Sequence, residues 1–481
     1  MKGTFSQKLK DASLAVTFRD VILVPNWVEV EPKEIDLTTQ ATVNHKLNLP
    51  FISSPMDTVT EAEMAIALAR LGGLGILHRN CSVEDQVKMA AQVKRAESLI
   101  IREVITLSTN QMVGDAMDLM QKHQISGLPV VEGGKLVGLV TGRDVRFAHR
   151  TLKVKDMMTK KLVTAKEGTT LEEAKNLLHA NRIEKLPIVD NEGTLRGLIT
   201  FKDIMLRGRF PNAARDEEGK LLCGAAVSPF DLERAKKLDQ HIDVLVIDVA
   251  HFHNANVFKS TKDILKEVHA DVVVGNIGTY RAAEDILTKL ERVAGIRAGI
   301  GSGSICTTSE VAKAGSPTLF ATAQAADALR KHGSDIPIIA DGGIRGPGDI
   351  AVALGAGAST VMIGNLFARC KEAPGNLVAI GGRYYKQYRG MGSASAMAKR
   401  YSMDRYSIPA KGIAEGVEGW VPYKGDLATV IQELADGLRA AMGYAGARNI
   451  SELWEKAEFT VMSAAGIEEA KPHDILLPGE A

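Results

Sequence analysis

The chain has 481 residues, enough for two or three domains, and 45% of them are hydrophobic, as in a soluble globular protein. A formal net charge of +1 excludes a global electrostatic bias toward nucleic acid or an anionic membrane, so no specific nucleic acid or membrane partner is expected. Four cysteines, Cys81, Cys223, Cys306 and Cys370, stand far apart without a CxxC pair, which argues against a metal cluster or disulfide framework and suits a reducing cytoplasm. No apolar run follows Met1-Lys2-Gly3, so no signal peptide is expected, and no stretch approaches the roughly 18 apolar residues of a membrane helix.

In chain order, residues 49–53 read as a strand, 61–71 as an amphipathic helix closed by Gly72-Gly73, and 74–78 as the next strand. An internal repeat then interrupts the pattern. Ile125-Ser126-Gly127-Leu128-Pro129-Val130-Val131 returns as Ile183-Glu184-Lys185-Leu186-Pro187-Ile188-Val189, and Gly138-Leu139-Val140-Thr141-Gly142-Arg143-Asp144 as Gly197-Leu198-Ile199-Thr200-Phe201-Lys202-Asp203. Two such copies resemble a tandem CBS (Bateman) module, placed at residues 97–207. Thr141, Asp144, Thr200 and Asp203 are its candidate regulatory-nucleotide residues. A carboxylate at a helix start can accept ribose hydroxyls while the helix N-terminus favours phosphate; the same residues also read simply as helix N-caps.

After Ser228 the alternation resumes, with strands expected at 244–248, 272–275, 295–299, 336–340 and 360–363 and helices between most of them. Strand–helix alternation implies a parallel sheet buried on both faces. An open doubly wound sheet also alternates. About eight strands, with no dinucleotide glycine fingerprint after the first, favour a (β/α)8 TIM barrel, its first part in residues 1–96 and its second in 208–481. Residues 371–427 are long for a strand–helix connection. They hold Tyr384-Tyr385, Asp404-Arg405-Tyr406 and Glu415-Gly416-Val417-Glu418-Gly419, and read as a lid over the barrel mouth.

The chemistry concentrates in Gly299-Ile300-Gly301-Ser302-Gly303-Ser304-Ile305-Cys306-Thr307-Thr308. Glycines let the backbone approach a ligand closely, and a thiol on such a turn can attack an electrophilic carbon. A tight turn with an inert cysteine is the alternative. The loops after the last two strands hold Asp341-Gly342-Gly343 and Gly364-Asn365, where barrels of this kind bind phosphate. Gly343 and Gly364 would turn amides toward it and Ser304 would add a hydroxyl. Asp341 is acidic and unsuited to phosphate; it caps the following segment or accepts hydroxyls elsewhere on a ligand.

With Ser53-Ser54-Pro55-Met56-Asp57 upstream and Tyr388-Arg389-Gly390-Met391-Gly392-Ser393 downstream, these motifs resemble the IMP dehydrogenase/GMP reductase superfamily over nearly the whole chain. The resemblance implies that Ser54, Met56, Asn276, Arg297, Asn365, Tyr388, Gly390, Met391 and Gly392 join Ser304, Asp341, Gly343 and Gly364 around the nucleotide, with Glu415 at the purine edge. It implies that Cys306 adds to C2 of IMP, that hydride leaves for NAD, and that water, activated by Arg405, Tyr406 and Thr308, releases XMP. Asp248, Gly299 and Gly301 would face the NAD cofactor. Backbone carbonyls of Gly301, Gly303 and Cys306 would hold a potassium ion, with a neighbouring subunit completing that site in a homotetramer that pairs into octamers through the CBS modules. Adenine or guanine nucleotides are the expected ligands of those modules.

Five positions depart from the family pattern: Val249 and Ala250 after Asp248, where small hydroxyl residues are common and Asp-Val-Ala is closer to GMP reductase, Phe252 where glycine is common, Thr318 after the cysteine loop, and Asn365 where Ser or Gly is usual. IMP dehydrogenase is the leading expectation. An NADPH-dependent GMP reductase shares barrel, cysteine and threonine but normally lacks the Arg-Tyr pair. A non-catalytic nucleotide sensor is the third reading.

Overall fold

The computed structural model describes residues 5–97, 100–102, 104–399, 401 and 414–474. Two compact units emerge: Met1–Ala96 with Asn212–Asp216 and Leu221–Ala481, and Glu97–Pro211 with Glu217–Lys220.

The larger unit is a closed parallel barrel. Its strands are β1 (Phe51–Ser53), β2 (Leu74–Leu77), β3 (Gly224–Val227), β4 (Val244–Ile247), β5 (Asp271–Ile277), β6 (Val293–Ala298), β7 (Ile338–Asp341) and β8 (Thr360–Ile363). The β8–β1 register of Val361 on Phe51 and Ile363 on Ser53 closes the ring. Every strand residue is buried except Asp341, which is half-buried at the C-terminal end of β7. Alternation of side chains sends Ile52, Leu74, Ile76, Val244, Val246, Val273, Ile339 and Met362 into one interior cluster. Ala41 and Leu47, from the N-terminal hairpin of Thr39–Gln40 and Lys46–Leu47, join that cluster.

Eight helices follow the eight strands in turn: Ala62–Arg70, Val83–Ala96, Leu232–Asp239, Ala255–Glu267, Tyr280–Lys289, Thr318–His332, Pro347–Gly355 and Leu427–Tyr444. This is the (β/α)8 architecture that the alternation predicts. The strand β3 is the one that the pattern did not reveal. Its sequence, Gly224-Ala225-Ala226-Val227, is mostly small residues without the β-branched signature of its neighbours. Between β8 and the last helix stands a three-stranded antiparallel sheet, Leu377–Ile380, Arg383–Arg389 and Glu418–Pro422, inside the segment expected to form a lid.

The smaller unit lies in the chain between the helix after β2 and strand β3. It contains two copies of strand–helix–strand–strand–helix, each with a three-stranded sheet and its own apolar cluster. The first copy runs from Leu107–Ser108 to Gly142–Val145 and the second from Ala165–Lys166 to Phe201–Arg209. The repeat extends to backbone detail: the first helix of each copy ends in a left-handed residue, Gln124 at φ 52° and Arg182 at φ 53°.

Candidate active site

The loops at the C-terminal ends of the barrel strands surround a cavity of about 730 Å³. Every residue that the sequence assigned to the nucleotide lines it, as do Cys306, Thr308, Gly299, Gly301 and Gly303. Arg405 and Tyr406 lie outside the described residues. Asp248 stands behind the wall: its side chain is 1% exposed and engaged by arginines.

Cys306 Sγ lies 3.3 Å from Thr308 Oγ1, and that hydroxyl donates to Glu415 Oε2 at 2.9 Å. Glu415 is buried, and the sequence placed it only at the purine edge; here it also accepts from Thr308. The loop is braced by backbone bonds from Cys306 N–H to Gly303 O (3.0 Å), Thr307 N–H to Glu415 O (3.2 Å) and Val417 N–H to Ile305 O (3.0 Å). The cysteine loop and the residues leading into the Glu418–Pro422 strand are therefore one hydrogen-bonded structure. The other three thiols are off the cavity wall. Burial pushes Cys81 up to about 11 and Cys370 up to about 12, and complete burial raises Cys223 as well, so all three stay protonated and inert.

Beside the thiol runs an alternating chain of charge. Arg79 Nε lies 3.4 Å from Asp248 Oδ2, Asp248 Oδ1 lies 3.1 Å from Arg297 Nη2, and Arg297 Nε lies 3.2 Å from Asp341 Oδ2. Asn276 links its end: its Nδ2 donates to Asp341 Oδ2 (2.8 Å) and Gly299 O (2.7 Å), and its Oδ1 accepts from Arg297 Nε (2.5 Å). Alternation of sign offsets the desolvation of four buried or half-buried charges and fixes the carboxylate of Asp341. Both contacts fall on Oδ2, so Oδ1 is left to accept a ligand's hydroxyls. Arg297 Nη1 is buried without a hydrogen-bond partner among the described residues, the kind of orphan donor that a bound ligand satisfies.

The opposite end is built for an anion. Gly343 adopts φ +79°, and a Cβ on Gly364 would meet Tyr388 Oη at 2.9 Å and Met56 Sδ at 3.4 Å, so only glycine leaves this approach open. Burial pushes the Tyr388 phenol up to about 12, keeping it a neutral donor. Asn365 Nδ2 donates to Ser304 Oγ at 3.1 Å. Asn365 Oδ1 in turn accepts from Arg369 Nε (3.0 Å) and Nη2 (2.6 Å). Sequence reasoning missed Arg369, which lines the cavity, along with Phe18, Arg19 and Arg345. The signal for Arg369 was present: four residues after Asn365 on a short helix, it falls on the same side.

In the smaller unit the candidate regulatory residues pair with each other. Thr141 N–H and Oγ1 both donate to Asp144 Oδ2 at 2.7 Å, and Thr200 Oγ1 donates to Asp203 Oδ2 at 2.5 Å. This is N-capping geometry, one of the two readings that the sequence left open. Lys185, unremarked in the sequence, is buried, and its ammonium donates to Ser126 Oγ at 2.8 Å.

A (β/α)8 barrel whose mouth combines a thiol, a fixed carboxylate and a glycine-lined anion cradle defines a nucleotide-converting enzyme of the barrel class. The chain belongs to the IMP dehydrogenase/GMP reductase family, whose domain matches residues 15–473. It is 57% identical to the inosine-5'-monophosphate dehydrogenase of Korarchaeum cryptofilum, over 96% of this chain and 97% of that one. Identity is 50% to the enzyme of the same name from Methanocaldococcus jannaschii, over 99% of this chain and 98% of that one. Among solved structures it is similar to GMP reductase from Trypanosoma brucei in complex with guanosine 5'-monophosphate, at 36% identity and a TM-score of 0.88, covering 98% of this chain and 100% of that one. No helix among the described residues is long and apolar enough to cross a membrane.

Proposed function

We propose that this chain is an IMP dehydrogenase, oxidising IMP to XMP with NAD as hydride acceptor and water as the oxygen source. The observation that carries the reading is the Cys306–Thr308–Glu415 array facing a nucleotide-sized cavity, in a chain similar over its full length to enzymes of that name. Asp341 Oδ1 accepts the ribose hydroxyls, Ser304, Gly343, Gly364, Asn365 and Tyr388 hold the phosphate, and Ser54, Met56, Asn276, Arg297, Gly390, Met391, Gly392 and Glu415 surround the rest. Cys306 Sγ, as thiolate, bonds to C2 of the purine, and a hydride leaves C2 for the nicotinamide. Water then attacks the thioimidate carbon, the C–S bond breaks, XMP departs, and one proton is released. Thr308 orients that water, while Arg405 and Tyr406 complete its activation.

The wall fits a nicotinamide. Val249, Ala250 and Gly299 line the cavity and are tied together through Asn276, whose N–H meets Val249 O at 3.3 Å and whose Nδ2 meets Gly299 O. This apolar, small-residue stretch suits a planar ring, which accepts the hydride when bound. Asp248 serves it through Arg297 by fixing the guanidinium beneath that wall. The cysteine loop also fits a monovalent cation: among the described residues the carbonyls of Gly301 and Cys306 take no backbone hydrogen bond, and free carbonyl dipoles are what potassium uses. A neighbouring copy in a homotetramer completes that shell, and tetramers pair into octamers.

The smaller unit is a tandem CBS module that binds adenine or guanine nucleotides and controls the barrel, with one oxygen of Asp144 and of Asp203 capping its helix and the other offered to ribose. The unpaired cysteines among the described residues suit a reducing cytoplasm. Purified protein assayed with IMP plus NAD, and separately with GMP plus NADPH, in potassium buffer, tests the activity: NADH formation in the first alone supports it, and NADPH consumption in the second alone refutes it. A chain lacking residues 97–207 keeps that activity and loses its response to ATP and GTP; calorimetry showing no nucleotide binding to the intact protein refutes the regulatory role.

A further inference from the structure

We propose that Arg369, fixed in place by Asn365, is a phosphate-binding and specificity-determining residue that adds a permanent positive charge to the anion end of the site. This rests on the nucleotide reading above. Arg369 lines the cavity, half-buried, and delivers two guanidinium donors into one amide oxygen of Asn365. The other end of that amide donates to Ser304 Oγ, so backbone cradle, hydroxyl, amide and guanidinium form one connected array.

The choice of an amide decides the electrostatics. Of the other arginines on the cavity wall, Arg297 and Arg345 each face a carboxylate, Asp248 and Asp349 respectively, while Arg19 is solvent-exposed and pairs with none among the described residues. Arg369 has no carboxylate within ion-pair distance among the described residues. Asn365 orients it as an aspartate would, yet leaves its charge uncancelled. A half-buried, uncompensated cation on a cavity wall is costly unless an anion joins it. A guanidinium matches the oxygens of a phosphate monoester dianion in both geometry and charge. The phosphate is remote from the reacting C2, so this contact holds ground state and transition state alike. It therefore governs nucleotide affinity and leaves the chemical step alone.

The test uses the full-length protein with Arg369→Met, Arg369→Lys and Asn365→Asp variants. Binding of IMP, GMP and the phosphate-free nucleoside inosine is titrated by calorimetry at low and high salt, and KM and kcat are measured with IMP. Arg369→Met is expected to weaken IMP and GMP about 10- to 100-fold, the range of a charge-assisted hydrogen bond, with inosine unchanged and the salt dependence of IMP binding flattened. KM rises in step while kcat stays within about twofold, and lysine restores part of the loss. Asn365→Asp, which neutralises the guanidinium in place, reproduces the effect. Wild-type affinity for IMP in both Arg369→Met and Asn365→Asp, or an equal loss for inosine, overturns the proposal by showing a structural role. A wild-type protein that binds neither IMP nor GMP overturns the nucleotide reading of the site and the proposal with it. Binding of IMP by wild type without its oxidation refutes the assigned reaction alone and leaves the Arg369 comparison intact.

Discussion

Replacing Thr308 by valine keeps the shape of the side chain and removes one oxygen. That oxygen donates to Glu415 Oε2 at 2.9 Å and stands 3.3 Å from Cys306 Sγ. Its loss removes the hydroxyl donor of a buried carboxylate oxygen and, on the proposed mechanism, the group that orients the incoming water. A hydrogen bond to a charged partner contributes about 1.5–3 kcal/mol. Realised in the hydrolytic transition state, that is roughly a 10- to 150-fold fall in steady-state rate. Hydride transfer draws on different parts of the site: the cysteine loop keeps the bonds from Cys306 N–H to Gly303 O, from Thr307 N–H to Glu415 O, and from Val417 N–H to Ile305 O. Stopped-flow absorbance at the NADH band, with enzyme mixed against IMP and NAD, is therefore expected to show a burst at near wild-type rate followed by slow turnover. Mass spectrometry of the stalled enzyme should show a nucleotide adduct on Cys306. Steady-state turnover within about twofold of wild type, or a burst lost together with turnover, refutes the role assigned to this hydroxyl.

Cys306→Ala is expected to abolish turnover by several orders of magnitude while equilibrium titration still detects IMP, because the nucleophile is lost and the cradle is not. Arg405→Ala should leave a rapid NADH burst and lower the steady-state rate by about 10²- to 10⁴-fold, the range of a general base, which pre-steady-state absorbance measures. Asp57 supplies a pH test of stability. Burial raises its pKa, but hydrogen bonds from Arg389 and Asn80 outweigh burial and hold it below the ordinary carboxylate value. The folded pKa lies below the unfolded one, so the stability that Asp57 contributes is full above about pH 4 and fades as pH falls through the folded value. Urea midpoints of wild type and Asp57→Asn should thus differ at pH 7 and converge in acid.

The barrel was legible because seven of its strands carry dense apolar runs with helical segments between most of them, a signal that depends on burial from both faces. Strand β3 escaped because Gly224-Ala225-Ala226-Val227 packs by smallness and follows directly on the inserted unit. Site residues carried by the glycine loops were legible for a chemical reason: a thiol, a hydroxyl or a carboxylate in a glycine-rich turn has few structural uses. Residues that act through charge in three dimensions were not. Arg79 is 169 positions from Asp248, and Asp341 is 65 from Asn276, so nothing local marks the chain that fixes Asp341. Asp248 shows the same limit in reverse. At the end of β4 it read as a cofactor ligand, whereas its carboxylate is spent on Arg79 and Arg297. The Thr141–Asp144 and Thr200–Asp203 pairs had two compatible readings because a capping carboxylate and a ribose-binding one need the same residue at the same helix start.

Likeness of fold does not separate the two reactions of this family. A TM-score of 0.88 to a GMP reductase reflects an architecture shared over 98% of this chain, and both enzymes are expected from the sequence to share a cysteine and threonine of this kind. The difference lies in what consumes the covalent purine. A dehydrogenase must bring water to it after hydride has left, and so needs a base that arrives late. A reductase delivers hydride and needs none. On the proposed mechanism the discriminating residues belong to the segment between β8 and the last helix, which is hydrogen-bonded to the cysteine loop at Ile305 and Thr307, rather than to the barrel strands. Arg405 and Tyr406 fall within that segment, between Arg383–Arg389 and Glu418–Pro422. Full-length identities of 57% and 50% to IMP dehydrogenases agree with the Arg-Tyr pair, against 36% for the reductase.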